Sequence, residues 1–132
     1  MTNFLKNLFH SENYRPPEPC IASMEQSFPS ALNVEWHKRK ETCEAIFYKD
    51  ELEHIAIFEP SGTMLEYRVN IMPGLLPAII KSSAEETGEI MNCVMKNKGK
   101  TIEYEIIIRI NALSRELITF DDLGKITGKV KL

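Results

Sequence analysis

The sequence predicts an α+β fold in which two tandem units, each a helix followed by a four-stranded meander, form one antiparallel sheet with the helices on one face. Three observations carry that prediction. Apolar residues alternate with polar ones in short runs broken by turn residues, most strongly at Ile102, Tyr104, Ile106, Ile108 and Ile110. Period two is the mark of a half-buried strand. Two other segments place their apolar residues at helical spacing instead. Finally, the turn Phe58-Glu59-Pro60-Ser61-Gly62 has an echo in Phe120-Asp121-Asp122-Leu123-Gly124, its Phe and Gly each recurring 62 positions later.

Phe4, Leu5, Leu8 and Phe9 fall at helical spacing and predict a short terminal helix resting on the domain. Ser11 to Pro19 holds Pro16, Pro17 and Pro19, which cannot continue a helix, and reads as an extended linker. Ile21, Met24 and Phe28 recur at i, i+3 and i+7, a short amphipathic helix that Pro29 stops. Val34 and Trp36 then alternate with Glu35 and His37 as the first strand. Trp36, the single tryptophan, is expected as a core anchor for that helix.

From Glu44 to Arg68 the chain reads as strands joined by two tight turns. Ala45 and Phe47 take one face of the second strand, and Ile46 and Tyr48 the other. Lys49-Asp50-Glu51 is a polar turn, and Leu52 to Phe58 is the third strand. Pro60 suits the second position of a type I turn and Gly62 its last. Thr63 to Ile71 is the fourth strand, with Leu65, Tyr67, Val69 and Ile71 on one face.

Pro73-Gly74 ends this run, and Pro77 fits the first turn of a helix, where its missing N–H costs nothing. Leu76, Ile79, Ile80 and Ala84 line one side of that helix, and Gly88 is its C-cap. A second meander begins at Glu89, with Met91, Cys93 and Met95 sharing a face. Asn97 to Lys100 turns the chain into the run from Ile102 to Ile110. Strands at Glu116 to Phe120 and Lys125 to Leu132 complete it, with Ile126, Val130 and Leu132 expected inward. The organisation that follows is an N-terminal arm, residues 1–19, and a single domain, residues 20–132, of two repeats at about 20–71 and 72–132.

The segments FPSALNVEW (Phe28 to Trp36), EAIF, the Phe58-to-Gly62 turn, LPAII (Leu76 to Ile80), YEIII and FDDLG resemble the PepSY-like proteins of Bacteroidetes. Those proteins are similar in fold to the beta-lactamase inhibitory protein. The resemblance covers about Ile21 to Leu132, and its motifs are structural. It implies a tandem helix-plus-four-strand architecture with a curved sheet, and a non-enzymatic, inhibitor-like role in an exported protein. Inhibition of a beta-lactamase does not follow, because a fold does not carry a target.

Composition narrows the function classes. The 132 residues suit one hydrophobic core, and 43% hydrophobic with 27% charged residues is ordinary for a globular domain. A formal charge of −3 with mixed signs offers no general basic face to replace phosphate counterions, so no nucleic-acid partner is expected. No apolar run approaches the roughly 18 residues of a membrane span. The N-terminal residues lack a signal-peptide pattern, so the sequence as it stands predicts a cytoplasmic protein, with the periplasm as the alternative that the family resemblance implies. Cys20, Cys43 and Cys93 form no CxxC, and at most one pair could bridge; buried free thiols are the expectation.

No catalytic constellation emerges. His10, His37 and His54 have no metal-ligand spacing, and nothing places a histidine as base beside Cys43 or Cys93. Asp121-Asp122 lacks the calcium-loop pattern, and Gly124-Lys125 lacks the upstream glycine and following helix of a phosphate loop. No cofactor or metal is expected, and the chain is read as not an enzyme.

Function is expected instead on the sheet face without helices. Alternation assigns to it His37, Ile46, Tyr48, Glu103, Glu105, Ile107, Arg109 and Lys129, together with Glu35, Lys125, Thr127 and Lys131. Tyrosine and arginine beside apolar groups are typical of protein-binding patches, whereas the charges alone would suit a solvated face equally. The expected function is a protein- or peptide-binding, inhibitor-like module; the alternative is a small-ligand carrier or enzyme with a pocket between helix and sheet. A monomer is favoured, since Lys125, Lys129 and Lys131 discourage edge pairing of the last strand.

Overall fold

The computed structural model describes residues 14–132, so the expected terminal helix at Asn3 to Phe9 and most of the expected arm lie outside the described residues. Helix α1 (Glu18–Ser27) is followed by strands β1 (Leu32–Lys38), β2 (Cys43–Lys49), β3 (Leu52–Phe58) and β4 (Met64–Ile71). A 3-10 turn (Pro73–Leu75) and helix α2 (Ala78–Thr87) precede β5 (Glu89–Asn97), β6 (Ile102–Asn111), β7 (Ser114–Asp121) and β8 (Ile126–Lys131).

The eight strands form one sheet in the order of the chain, β1 through β8. This corrects the expected pair of tandem helix-plus-four-strand units. The protein is mostly sheet, with two α-helices among the described residues, and its hydrogen-bonded order does not break after four strands. β4 pairs with β5 from Tyr67↔Asn97 to Ile71↔Cys93, although a helix lies between them in sequence. The division into compact units falls inside β4, one ending at Leu65 and the other beginning at Glu66. A strand's open hydrogen-bonding edge is satisfied by whichever strand can reach it in register.

In the N-terminal unit, Cys43, Ala45 and Phe47 of β2 stand opposite Phe58, Ala56 and His54 of β3, and all six are buried. α1 covers this face, with the Phe28 and Phe47 rings 4.8 Å apart. The helix begins earlier than the proline pattern suggests. Pro17 is its N-cap and Pro19 sits in its first turn, where no backbone N–H has an intrahelical acceptor to lose. Trp36 is half-buried against Phe58, with ring centroids at 5.9 Å. Val34, expected beside it, is exposed, because the β1–β2 register slips between Leu32 and Glu35.

In the C-terminal unit, Leu76, Ile80 and Ala84 cover Cys93, Ile106, Ile108, Ile118 and Phe120. Each fully buried isoleucine contributes about 1.5–3 kcal/mol in apolar transfer. Ile79, expected on the same helix side, is exposed. Bulges displace two other expected core residues. β5 slips between Ile90 and Asn92, so Ile90 joins the core and Met91 is exposed. β6 and β7 slip between Arg109 and Asn111, leaving Ile110 exposed. Ile126, Val130 and Leu132 are exposed on or just beyond the last strand.

The two Phe-to-Gly turns close alike. Glu59 N–H donates to Thr63 O at 2.8 Å and Gly62 N–H to Glu59 O at 2.9 Å. Asp121 N–H donates to Lys125 O at 2.8 Å and Gly124 N–H to Asp121 O at 3.1 Å. Gly62 and Gly124 have φ of 96° and 92°, a region that side chains disfavour. Each turn also lies against a helix: a Cβ on Gly62 would fall 2.6 Å from the Pro19 carbonyl oxygen, and one on Gly124 3.2 Å from Ile79.

Two stability tests follow from these turns. Gly99 has φ of 93° but open space at its Cβ position, so Gly99→Ala isolates backbone strain at roughly 1 kcal/mol. Gly62→Ala adds the collision with α1 and is expected to cost about 2 kcal/mol more in urea unfolding. An equal cost for the two would show that α1 does not bear on the turn. Conversely, the β2–β3 turn holds Asp50 and Glu51 at φ of 53° and 64°. Glu51→Gly is expected to raise stability by roughly 0.5–1 kcal/mol in the same assay, since glycine removes the left-handed penalty.

Candidate functional site

The helix-free face of the C-terminal unit follows from the register. Cys93, Ile106 and Ile118 point toward α2, so their strand neighbours point away. Asn92, Ile107, Leu117 and Val130 form one cross-strand row on that side, and Val94, Glu105, Thr119 and Gly128 form the next. Ile107, Leu117 and Val94 are half-buried and Val130 is exposed.

Charged pairs border this apolar strip. Arg109 Nη2 lies 2.7 Å from Glu89 Oε1, and its Nε donates to the same oxygen at 3.1 Å. Lys96 Nζ is 3.0 Å from Glu105 Oε1, and Lys98 Nζ is 3.4 Å from Glu103. Lys96 is the most enclosed of these cations, its side chain 13% exposed. Arg68 pairs with Glu66. These pairs offset most of the charge around the isoleucine–leucine–valine strip, with exposed Arg115 opposite Arg109 adding a further cation at its border.

Of the residues expected here, Glu103, Glu105, Ile107 and Arg109 do share this face. Lys129 does not. β8 bulges between the Thr119↔Gly128 and Phe120↔Ile126 pairs, which makes Thr127 the extra residue. Lys129 consequently stands opposite Ile118, on the side that bears α2, while Val130 turns to the other side. Alternation read without the bulge missed Val130, and it missed Leu117 and Val94 as well. Gly128, an isolated glycine inside a strand pattern, was the signal that a bulge was present.

In the N-terminal unit, His37, Ile46 and Tyr48 lie on the side away from α1, opposite Glu44, Ile55 and Glu53 respectively. They are not equally open. Ile46 and His37 are each only 8% exposed, Tyr48 is half-buried and Leu32, paired with Tyr48, is exposed. His37 Nε2 is 3.6 Å from Glu35. His54 lies on the opposite side, stacked on Phe47 at 5.2 Å with Nε2 3.0 Å from the Lys49 carbonyl, which accepts its proton. Among the described residues, no three His, Cys, Asp or Glu side chains group to hold a metal ion. Asp121, far from a calcium ligand, accepts the N–H groups of Leu123 and Lys125 at 2.9 Å each and so shapes its turn.

A second feature sits at the start of α1. A cleft of about 430 Å³ is lined by Arg15, Lys38, Arg39, Lys40, Cys43 and Tyr14 among others. Tyr14 Oη lies 3.2 Å from Cys43 Sγ. Cys20 Sγ donates to the Glu59 carbonyl at 3.2 Å, and Ser23 Oγ to the Gly62 carbonyl at 2.6 Å, pinning α1 to the β3–β4 turn. Burial pushes the Cys20 thiol up to about 11, reinforced by its hydrogen bond with Cys43. Burial likewise pushes the Tyr14 phenol to about 12, with Cys43 as the next cause.

No family model matches the chain, and no curated protein matches it. Its fold is similar to that of several solved structures. A DUF2874 family protein from Bacteroides ovatus ATCC 8483 shares 13% identity over 90% of this chain and 89% of that chain, with a TM-score of 0.81. A BLIP-like protein from Bacteroides fragilis NCTC 9343 shares 14% over 91% and 89%, with a TM-score of 0.79. A candidate periplasmic protein from Bacteroides eggerthii DSM 20697 shares 15% over 89% and 90%, with a TM-score of 0.80. At these identities the likeness is one of fold. It supports the BLIP-like, Bacteroides side of the resemblance and leaves the PepSY label without support.

The thiol–phenol cluster makes a pH prediction. Cys20 and Tyr14 both favour their neutral forms in the folded chain, so their contribution is complete below their ordinary values of 9.0 and 10.0 and is lost as pH rises toward about 11 and 12. Thermal melting should hold steady up to about pH 9 and fall beyond it, with Cys20→Ala flattening the fall. An unchanged slope in that variant would remove the cluster as its cause.

Proposed function

We propose that this protein is a non-catalytic binding module, inhibitor-like in its mode of action, that engages a protein or peptide on a helix-free sheet face. The observation that carries this reading is the half-buried strip of Ile107, Leu117 and Val94, continued by exposed Val130 and bordered by the Glu89–Arg109 and Lys96–Glu105 pairs. An apolar centre with a charged rim is the anatomy of protein interfaces. The fold shared with a BLIP-like protein supports the same reading. Tyr48, half-buried on the N-terminal unit's own helix-free side, offers that unit an aromatic side chain of the kind found in interfaces. The sheet fold shared with the Bacteroides eggerthii protein favours the periplasm over the cytoplasm as the site of action. No helix among the described residues is long and apolar enough to cross a membrane.

A small-ligand carrier is the second reading, favoured by the cleft at the start of α1, whose lining carries Lys38 and Lys40 beside the Tyr14 phenol. The two readings place the partner on different residues. Affinity capture from the native cell, followed by titration of the captured protein, should show about tenfold weaker binding for Tyr48→Ala and for Arg109→Ala. Leu113→Ala, at a fully exposed turn position, should leave binding unchanged. Retention of the same partners at the same affinity by both Tyr48→Ala and Arg109→Ala would sink the sheet-face reading.

A further inference from the structure

Cys20 and Cys43 are both buried free thiols, at 0% and 3% exposure, and both stand against the Phe58–Glu59 step that ends β3. They reach this position from different elements. Cys20 projects from the first turns of α1, its sulfur held 3.2 Å from the Glu59 carbonyl. Cys43 opens β2 and stands directly opposite Phe58, the residue before Glu59. The third cysteine is elsewhere: Cys93 lies in the C-terminal unit's core, opposite Ile106.

The two thiols differ in access. Cys43 lines the cleft at the start of α1, whereas Cys20 does not. The cleft measures about 430 Å³ and is bordered by Arg15, Lys38, Arg39 and Lys40 and by Glu18 and Glu41. Arg15 pairs with Glu18 and Arg39 with Glu44, which leaves Lys38 and Lys40 as the cations facing it. That volume admits a small, negatively charged disulfide of the glutathione class, and Lys38 and Lys40 match its carboxylates.

We propose that Cys20 and Cys43 form a reversible disulfide, made by exchange with a small anionic disulfide that enters this cleft and attaches first at Cys43. The Cys43 thiolate attacks one sulfur of the incoming disulfide, forming a mixed disulfide and releasing one thiolate. The Cys20 thiolate then attacks Cys43 Sγ, forming the Sγ–Sγ bond and expelling the second thiolate. The protons lost by the two cysteines end on the two released thiols. Two protein thiols are oxidised and one small disulfide is reduced, so the exchange balances. The bridge would tie α1 to β2 across the same seam that Ser23 and Gly62 already hold. It persists where the surroundings are oxidising and reopens where they are reducing.

The test treats the folded full chain with oxidised glutathione, quenches in acid, unfolds, alkylates with N-ethylmaleimide and maps tryptic peptides by mass. The cysteines separate readily, because Lys38, Arg39 and Lys40 lie between Cys20 and Cys43. The expected result is one bridged species joining the Cys20 and Cys43 peptides, with Cys93 alkylated and dithiothreitol restoring both free thiols. In Cys20→Ser the mixed disulfide on Cys43 should accumulate, and in Cys43→Ser the Cys20 thiol should stay unmodified. The bridged chain should melt roughly 5–10 °C higher than the reduced one. Recovery of Cys20 and Cys43 as separate alkylated thiols, a bridge to Cys93, or a bridge that forms only in denaturant would overturn the proposal. So would a bridged chain that melts no higher, since the bond would then not fit the native fold.

Discussion

Cross-strand register is the constraint on which the rest of this protein depends. Cys93, Ile106 and Ile118 stand side by side across β5, β6 and β7, and α2 can cover them only because they share one side. A slip of one residue anywhere in that row would carry a charged neighbour such as Glu105 under the helix and a core isoleucine into water. The short helices add little on their own; a ten-residue helix is marginal in water and is held here by what it covers. The same logic makes the bulges at Met91, Ile110 and Thr127 informative. Each lets a strand change phase once, after which the core row is met again or abandoned at the sheet's margin.

The N-terminal unit solves a similar problem with different chemistry. Its covered face is built from Ala45, Ala56, Phe47 and Phe58, small residues alternating with large ones, so that α1 sits close. Close approach is visible at Gly62, where only a missing side chain leaves room for the Pro19 carbonyl. Polar fastening then replaces part of the apolar packing. Cys20 and Ser23 donate to the backbone carbonyls of Glu59 and Gly62 in the β3–β4 turn. That seam is where the thiols and the phenol gather, and burial there favours the neutral forms of Cys20 and Tyr14.

On the other side of the sheet, the electrostatics argue against a partner chosen by charge. Glu89 with Arg109, and Lys96 with Glu105, neutralise one another within the face. Surface pairs of this kind contribute little stability individually. What they leave is a narrow apolar strip with polar borders, which suits recognition by shape and burial more than by long-range attraction. Likeness to DUF2874 and BLIP-like proteins is one of fold, and the side chains of the strip are this chain's own.

Much of the architecture was legible in the residues themselves. Strand positions, the turns at Gly62 and Gly124, and the core roles of Ile80, Ile106 and Ile108 follow from period, proline and glycine, which are local properties. Four of the proposed face residues, Glu103, Glu105, Ile107 and Arg109, were readable because β6 alternates without interruption through them. The tertiary structure alone decided what depends on pairing between distant segments. Continuous pairing through β4 and β5 overrode the tandem reading, and the β8 bulge exchanged Lys129 for Val130. The meeting of Cys20 with Cys43 was equally hidden, since it needs a helix to fold back over a strand more than twenty residues away. Local periodicity records which side a residue takes relative to its neighbours; only the assembled ladder determines which side is covered.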